Sequence, residues 1–534
     1  MFRYVLTAAL ALSATPVFAN DSIAELGTGG LILSRSDAVA MESEDLYISP
    51  EKVTVDYVFR NNTDRDVDAI VAFPMPDIEG DPNEMPAIPD GQSDNFLGFE
   101  VTIDGVAAKP QLEQKAFALG IDISADLKAQ NVPFYPFGDA AKAALAKLPQ
   151  AVADAVSHCL LTTNANLGGF FETTIAAQQV VDDAHVAMAD FLGAASPQEI
   201  IIGANMTTLT YHMSRTLGRT MKPGDEIILT RMDHEGNVSP WLQLAEDVGL
   251  VVRWLAFDEQ SWQIEEAALA ALLTNRTRLV ALNYASNLTG SINRAKALTG
   301  IAKQAGALVY VDAVQFAPHG LIDVQDLGCD FLICSAYKFF GPHMGILWGR
   351  LDVIDALKPY KCRCSSDTLP ERFELGTPQI ELMAGLTAAV DYFAELGIAA
   401  GEGGSRRVRI AKAFERSIAY ENPLTQRLID GLSDISGLTI RGITDPARVG
   451  ERVPTVSFTV DGIVPETIVR QMNAENIFLW SGHNYAWEIV HQLGIPAEQG
   501  VVRIGIAHYN TAAEIEETLE SVHRVIAMLR QERC

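Results

Sequence analysis

The first hundred residues carry a period-two pattern. Val53-Thr54-Val55-Asp56-Tyr57-Val58-Phe59 largely alternates apolar with polar positions, Asn61-Asn62-Thr63-Asp64 is a turn cluster, and Val67 to Phe73 is a second apolar run closed by Pro74 and Pro76. This reads as an antiparallel hairpin within a small β-rich domain. After Gln111 the pattern turns helical and rich in Ala and Leu, through Asp139 to Leu148, and a new periodicity begins at Pro149. Beyond Ala151 short apolar runs alternate with amphipathic stretches, which predicts βαβ units on a largely parallel sheet. The predicted strands are Glu226 to Thr230, Val251 to Leu255, Leu279 to Asn283, Leu308 to Asp312 and Phe331 to Ser335. A helix over Asn293 to Ala305 stops at Gly306, where a residue without Cβ suits a left-handed cap. After about Gly401 a smaller α/β portion follows, with strands predicted at Thr455 to Val460 and Val501 to Ile506. The expected order is therefore a leader over residues 1–19, a β-rich domain over 20–148, a large α/β domain over 149–400 and a small one over 401–534.

Composition narrows the range of functions. The 534 residues, 48% hydrophobic and 20% charged, suffice for two or three packed domains. A formal charge of -28 leaves nothing to neutralise a phosphate backbone or anionic lipid, so neither nucleic acid nor a membrane surface is an expected partner. Met1 to Ala19 holds a basic Arg3, an apolar run from Tyr4 to Ala14 and the small-x-small end Val17-Phe18-Ala19. This reads as a secretory signal peptide, giving a periplasmic or secreted location, with a buried N-terminal helix as the alternative. No later run approaches the ~18 to 20 apolar residues of a membrane span. The cysteines, Cys159, Cys329, Cys334, Cys362, Cys364 and Cys534, form neither a disulfide framework nor a metal-ligand spacing.

Candidate chemistry gathers after the predicted strands. Cys334-Ser335-Ala336-Tyr337-Lys338-Phe339-Phe340-Gly341-Pro342 puts a lysine just beyond a buried strand with a turn behind it. Partial desolvation lowers an amine's pKa and favours imine formation with an aldehyde cofactor, although a lysine at a strand end is ordinarily a solvated surface group. Upstream, Val309-Tyr310-Val311-Asp312-Ala313-Val314-Gln315 ends a strand in a carboxylate, where an α/β sheet opens its ligand crevice. An aspartate there can hold a pyridine nitrogen protonated or simply cap a helix; Gln315 can bond a ring oxygen. Asp233-His234-Glu235-Gly236 follows another strand, and Gly203-Ala204-Asn205-Met206-Thr207-Thr208 offers hydroxyls and helix N-terminal amides to a phosphate, or a plain helix cap.

In order and spacing these residues resemble the cysteine desulfurase and isopenicillin-epimerase branch of the class V aminotransferases, from about Pro149 to Ala527 and most specifically over Asp330 to Gly345. The resemblance implies a pyridoxal 5'-phosphate (PLP) enzyme of fold type I, with a mostly parallel large domain and a smaller C-terminal α/β domain. It implies that Lys338 forms the internal aldimine, Asp312 meets the pyridine nitrogen, Gln315 meets the ring oxygen and His234 stacks on the ring. Thr207, Thr208, Ser335 and Tyr337 would lie at the phosphate, and Asn287 and Arg503 at the carboxylate of an amino-acid substrate. Thr377, in Gly376-Thr377-Pro378, would reach the partner's phosphate in a homodimer.

Two departures qualify what the resemblance implies. In Ser481-Gly482-His483-Asn484-Tyr485-Ala486-Trp487 a tyrosine stands where desulfurases carry a mobile thiol, and a phenol with a pKa of about 10 cannot accept a persulfide. Trp480 stands where many members carry a second arginine. The reaction is left open among α,β-elimination, racemisation and transamination. The family's opening strand is also missing: residues before Leu148, including Leu26-Gly27-Thr28-Gly29-Gly30-Leu31, resemble an exported bacterial domain family of unknown function. A cofactor-binding but catalytically impaired fusion, or a non-enzymatic exported module, are the competing expectations.

Overall fold

A computed structural model describes residues 22–27, 30–34, 38–48, 53–67, 70–72, 100–108, 117–118, 121–122, 147–401 and 403–531. The leader expected at 1–19 and most of the helical stretch expected at 139–148 lie outside them. The chain divides into two compact units, Met1–Pro86 and Ala87–Cys534.

In the first unit, strands Ser22–Gly27, Gly30–Ser34 and Ile70–Ala72 form one antiparallel sheet, and Val39–Ile48 pairs with Val53–Asn61. The Val53 strand thus pairs with the segment before it rather than with the run at Val67 to Phe73, which corrects the expected hairpin. Residues 42–47 are exposed, so Glu42, Ser43, Glu44 and Asp45 are tolerated there and hide the strand from a hydrophobic pattern. A register shift between Met41 and Ser43 breaks the alternation further.

In the second unit, seven strands form one sheet: β1 (Ile200–Gly203), β2 (Glu226–Thr230), β3 (Val251–Leu255), β4 (Thr277–Asn283), β5 (Leu308–Asp312), β6 (Phe331–Ser335) and β7 (Gly345–Gly349). The spatial order is β1-β7-β6-β5-β4-β2-β3, with β7 antiparallel to β6 and β1 and the neighbours from β6 to β3 parallel. Helices cover both faces, so the strands carry continuous apolar runs. Along β6, Phe331 and Ile333 enter one core with Tyr310 and Trp241, while Leu332 and Cys334 enter the other with Val309 and Val311. Each fully buried side chain of this kind contributes about 1.5–3 kcal/mol. The predicted helix at Asn293 to Ala305 runs Ala295–Gln304, and Gly306 adopts φ +81°.

Four further strands, β8 (Leu438–Ile440), β9 (Thr455–Val460), β10 (Trp480–Gly482) and β11 (Val501–Gly505), form an antiparallel sheet in the order β8-β9-β11-β10. Its inner side chains, among them Val456, Phe458, Val502 and Ile504, pack with the helices Arg406–Ser433 and Ala512–Gln531. Among the described residues one helix, Ile380–Ala399, is long and apolar enough to cross a membrane, contrary to the expectation that no later run approaches that length. Its Met383, Leu386, Val390 and Phe393 are buried, and it contacts the helices Lys147–Thr162, Glu172–Leu192 and Arg406–Ser433, so it is a core helix. Lys147–Thr162 continues without a break through Pro149, at its first turn, where proline is tolerated.

Candidate active site

β1, β2, β4, β5 and β6 all end at one edge of the sheet, at Gly203, Thr230, Asn283, Asp312 and Ser335. That edge is where an α/β sheet binds ligands. Asp312 sits opposite Asn283 on one side and Ile333 on the other. It is 4% exposed, and its Oδ1 accepts the Val314 N–H at 2.9 Å. Burial pushes its carboxyl up to about 6, against the pull of the Val314 bond and of Lys338.

Lys338 lies in the short helical turn Ala336–Phe339 that follows β6. The turn is pinned by Ala336 N–H on the Met344 carbonyl at 3.0 Å and Gly341 N–H on the Ala336 carbonyl at 2.9 Å. Burial first, then the Arg503 cation, lower the amine's pKa, while Asp312 works in the other direction. Its Nζ stands 5.3 Å from the centre of the Tyr337 ring, which stacks on His343 at 5.1 Å.

His234 enters from the turn after β2. Its Nδ1 accepts the Gly236 N–H at 2.9 Å, which leaves the proton of the neutral ring on Nε2. Burial, then the Lys338 and Arg503 cations, push its pKa down to about 4. The neighbouring Asp233 is buried, and its carboxylate accepts from Thr230 Oγ1 and from Asn237 Nδ2, the latter at 2.7 Å. Burial pushes it up to about 8, with Asp312 adding to the effect. In the sequence Asp233 stands out only as the residue before the histidine.

Arg503 on β11 donates from Nη1 to the Asn287 carbonyl at 3.0 Å, and Asn287 Nδ2 donates to the Asn484 carbonyl at 2.7 Å. Asn287 Oδ1 is buried without a hydrogen-bond partner. Gln315 Nε2 donates to Thr455 Oγ1 at 2.9 Å, a link that the sequence did not suggest. The helix Met206–Gly218 starts beside the same edge, capped by Asn205, whose Oδ1 accepts both Thr208 N–H and Thr208 Oγ1 at 2.8 Å. Thr207 Oγ1 lies 3.3 Å from Met206 Sδ. Gly345 lets β7 approach this start: a Cβ there would fall 2.3 Å from Asn205 C. Lys338, Asp312, His234, Arg503 and Tyr337 therefore share one electrostatic site. Thr377 is exposed in the loop before the helix Ile380–Ala399 and is not brought together with them.

The residues suit a phosphorylated pyridine aldehyde. Ser335 Oγ is buried without a hydrogen-bond partner at the strand end beside Lys338, as a phosphate or other polar ligand would require. A buried carboxylate and a desolvated lysine complete the donor set. No group of three or more metal-ligating side chains occurs among the described residues.

Comparison with known proteins agrees with this donor set. Residues 140–518 match the family Aminotransferase class-V, and residues 19–178 match a domain of unknown function, DUF4424. An "Aminotransferase-like protein FGM3" of Gibberella zeae is 32% identical over 70% of this chain and 89% of its own. A "Probable cysteine desulfurase" of Synechocystis is 32% identical over 74% of this chain and 93% of its own. The solved apo cysteine desulfurase of Thermococcus onnurineus superposes with a TM-score of 0.64 at 27% identity, covering 71% of this chain and 92% of its own. Fold and site thus define a PLP-dependent enzyme of fold type I. The chain belongs to the aminotransferase class-V family, in company with cysteine desulfurase-like proteins, and carries an N-terminal DUF4424 domain.

Proposed function

We propose that the protein acts on the α-carbon of an amino acid through Lys338. The observation that carries this reading is a desolvated lysine that acts on both the buried Asp312 and His234, with Arg503 acting on Lys338 and His234 alike. When bound, PLP supplies an electron sink that acidifies the substrate's Cα–H. Lys338 Nζ would hold the cofactor's aldehyde carbon, and as a free amine it is the base that would take the Cα proton. Asp312 would hold a proton on the pyridine nitrogen, Gln315 would bond the ring oxygen, and the neutral His234 would lie against the ring. Thr207, Thr208, Ser335 and Tyr337 would receive the phosphate. Arg503, with Asn287, holds the substrate carboxylate by a fork of donors.

Tyr485 occupies the loop position at which a sulfur-accepting thiol would be needed, so elimination, racemisation or transamination are the reactions proposed, without sulfur transfer through that position. Thr377, exposed and free to face a second copy, is proposed to reach the partner's phosphate in a homodimer. The leader is proposed to direct export to the periplasm or beyond. The test is the visible absorbance of the full-length protein after incubation with PLP and challenge with L-amino acids. A cofactor band that shifts with one amino acid supports an active enzyme. A band that no amino acid shifts identifies a cofactor-binding but impaired fusion, and absence of a band overturns the proposal in favour of a non-enzymatic exported module.

A further inference from the structure

Around the cation that awaits a carboxylate, the small sheet turns aromatic rings to solvent. Along β11 the side chains divide. Val502 and Ile504 enter the core of the small sheet, while Val501 enters a core of the large one, so Arg503 shares the outward face with Val501. Trp480 on β10 is the direct antiparallel partner of Arg503, and cross-strand partners project from the same face about 5 Å apart. Ser457, the partner of Arg503 on its other side, donates to the Leu288 carbonyl at 2.6 Å, which fixes that face toward the loop carrying Asn287. Trp480 is nevertheless 68% exposed.

A second ring arrives from the loop after β10. Tyr485 stacks on His234 with centroids 5.4 Å apart, its carbonyl accepts the Glu235 N–H at 2.8 Å, and the residue is 64% exposed. The loop is held by the Asn287 bond to the Asn484 carbonyl, so this ring is positioned rather than trailing.

Charge limits what these rings can receive. The cations acting on His234 are Lys338 and Arg503, and Arg503 has no carboxylate partner among the described residues. Arg231, on the strand-end loop before His234, is already paired with Glu488 and lies over Trp254. A substrate with a second carboxylate would find no further free cation among these residues, and a cationic side chain would meet two like charges. A neutral, flat side chain would cover both rings.

Resting on the function proposed above, we infer that Trp480 and Tyr485 form the side-chain subsite and that the substrate is an aromatic L-amino acid. Burial of one phenyl group between two rings accounts for a preference of roughly tenfold or more over alanine.

The test uses the full-length protein loaded with PLP, titrated with L-phenylalanine, L-alanine, L-aspartate and L-lysine while the cofactor absorbance is followed. Expected are a dissociation constant for phenylalanine about tenfold below that for alanine, and weaker binding of aspartate and lysine than of phenylalanine. Trp480→Ala and Tyr485→Ala should each bring the phenylalanine-to-alanine ratio toward one, and Trp480→Phe should restore it. Both parent residues are largely exposed, so loss of fold does not obscure the result. A parent protein that binds alanine or aspartate as tightly as phenylalanine, or alanine variants that keep the ratio, overturns the inference while leaving the proposed function standing. Absence of a cofactor band overturns both.

Discussion

Arg503 reaches from the small antiparallel sheet to donate a 3.0 Å hydrogen bond to the Asn287 carbonyl, beyond the strand β4 of the large sheet. One guanidinium thereby links the two sheets while its charge acts on both Lys338 and His234. Arg503→Met should weaken amino-acid binding by about 1.5–3 kcal/mol, or roughly 10- to 150-fold, while the cofactor band persists. Arg503→Lys keeps the charge without the fork and should recover only part of the loss. Titration of the cofactor absorbance with substrate measures both, and an unchanged Kd removes the carboxylate role.

Lys338 carries the attachment proposed for the cofactor, and its turn is fixed by backbone bonds that its side chain does not make. Lys338→Ala should therefore fold normally yet lose the visible cofactor band and its trapping by borohydride. Peptide mapping of the reduced parent should place the label on Lys338. A label on another lysine ends this assignment.

Asp312 makes cofactor-free stability depend on pH. Its folded carboxyl is raised to about 6 by burial, above the ordinary value of about 3.9. The folded protein binds this proton more tightly than the unfolded chain, so the stabilisation is present below about pH 4 and lost as pH rises through about 6. Asp312→Asn removes that dependence. At pH 8 the cofactor-free variant should be more stable than the parent by up to about 3 kcal/mol, since each tenfold difference in proton affinity is worth about 1.4 kcal/mol, and near pH 4 the two should converge. His234, lowered to about 4, has the opposite sign between that value and its ordinary one but is present in both proteins, and Asp233, raised to about 8 partly by Asp312, has the same sign as Asp312 and is relieved in the variant in the same direction. Loading with PLP should reverse the ranking, because only aspartate offers a charge to the pyridine nitrogen. Thermal melts at the two pH values, with and without cofactor, decide the matter.

Much of this architecture is legible in the sequence because two-sided burial writes strands as uninterrupted apolar runs. β2, β3, β5, β6 and β9 occupy the predicted residues, and β4 and β11 differ only at an end. The chemistry is legible where residues lie just after such runs, as Asp312 and Lys338 do. What escaped depends on tertiary contact. Val39–Ile48 has exposed residues along its middle and no pattern to betray it, so the sequence hides its pairing with Val53–Asn61. The Gln315 to Thr455 bond joins residues 140 positions apart, and the stack of Tyr485 on His234 joins two loops. No local spacing encodes either.

Arg452 is the most consequential residue that the pattern concealed, since one arginine among Gly450-Glu451-Arg452-Val453-Pro454 reads as a surface charge. It is only 3% exposed and has no ion-pair partner among the described residues. Burial alone lowers its pKa to about 10. Its Nη2 donates to the Thr455 carbonyl at 2.6 Å and the Thr289 carbonyl at 3.5 Å, and its Nη1 donates to the Ile443 carbonyl. Thr289 belongs to the loop carrying Asn287, and Thr455 is the partner of Gln315, so one buried cation fixes both the carboxylate side and the ring-oxygen side of the crevice. Arg452→Met would strand these carbonyls in a dry interior, at a cost of about 1–3 kcal/mol for each fully buried group left unpaired. A urea midpoint well below the parent's is expected, together with weaker PLP binding. Arg452→Lys, with a single ammonium to span three acceptors, should recover less than half of the lost stability. If Arg452→Met instead unfolds with the parent's midpoint and binds PLP equally well, the two sides of the crevice are held by the Gln315 and Ser457 bonds without it.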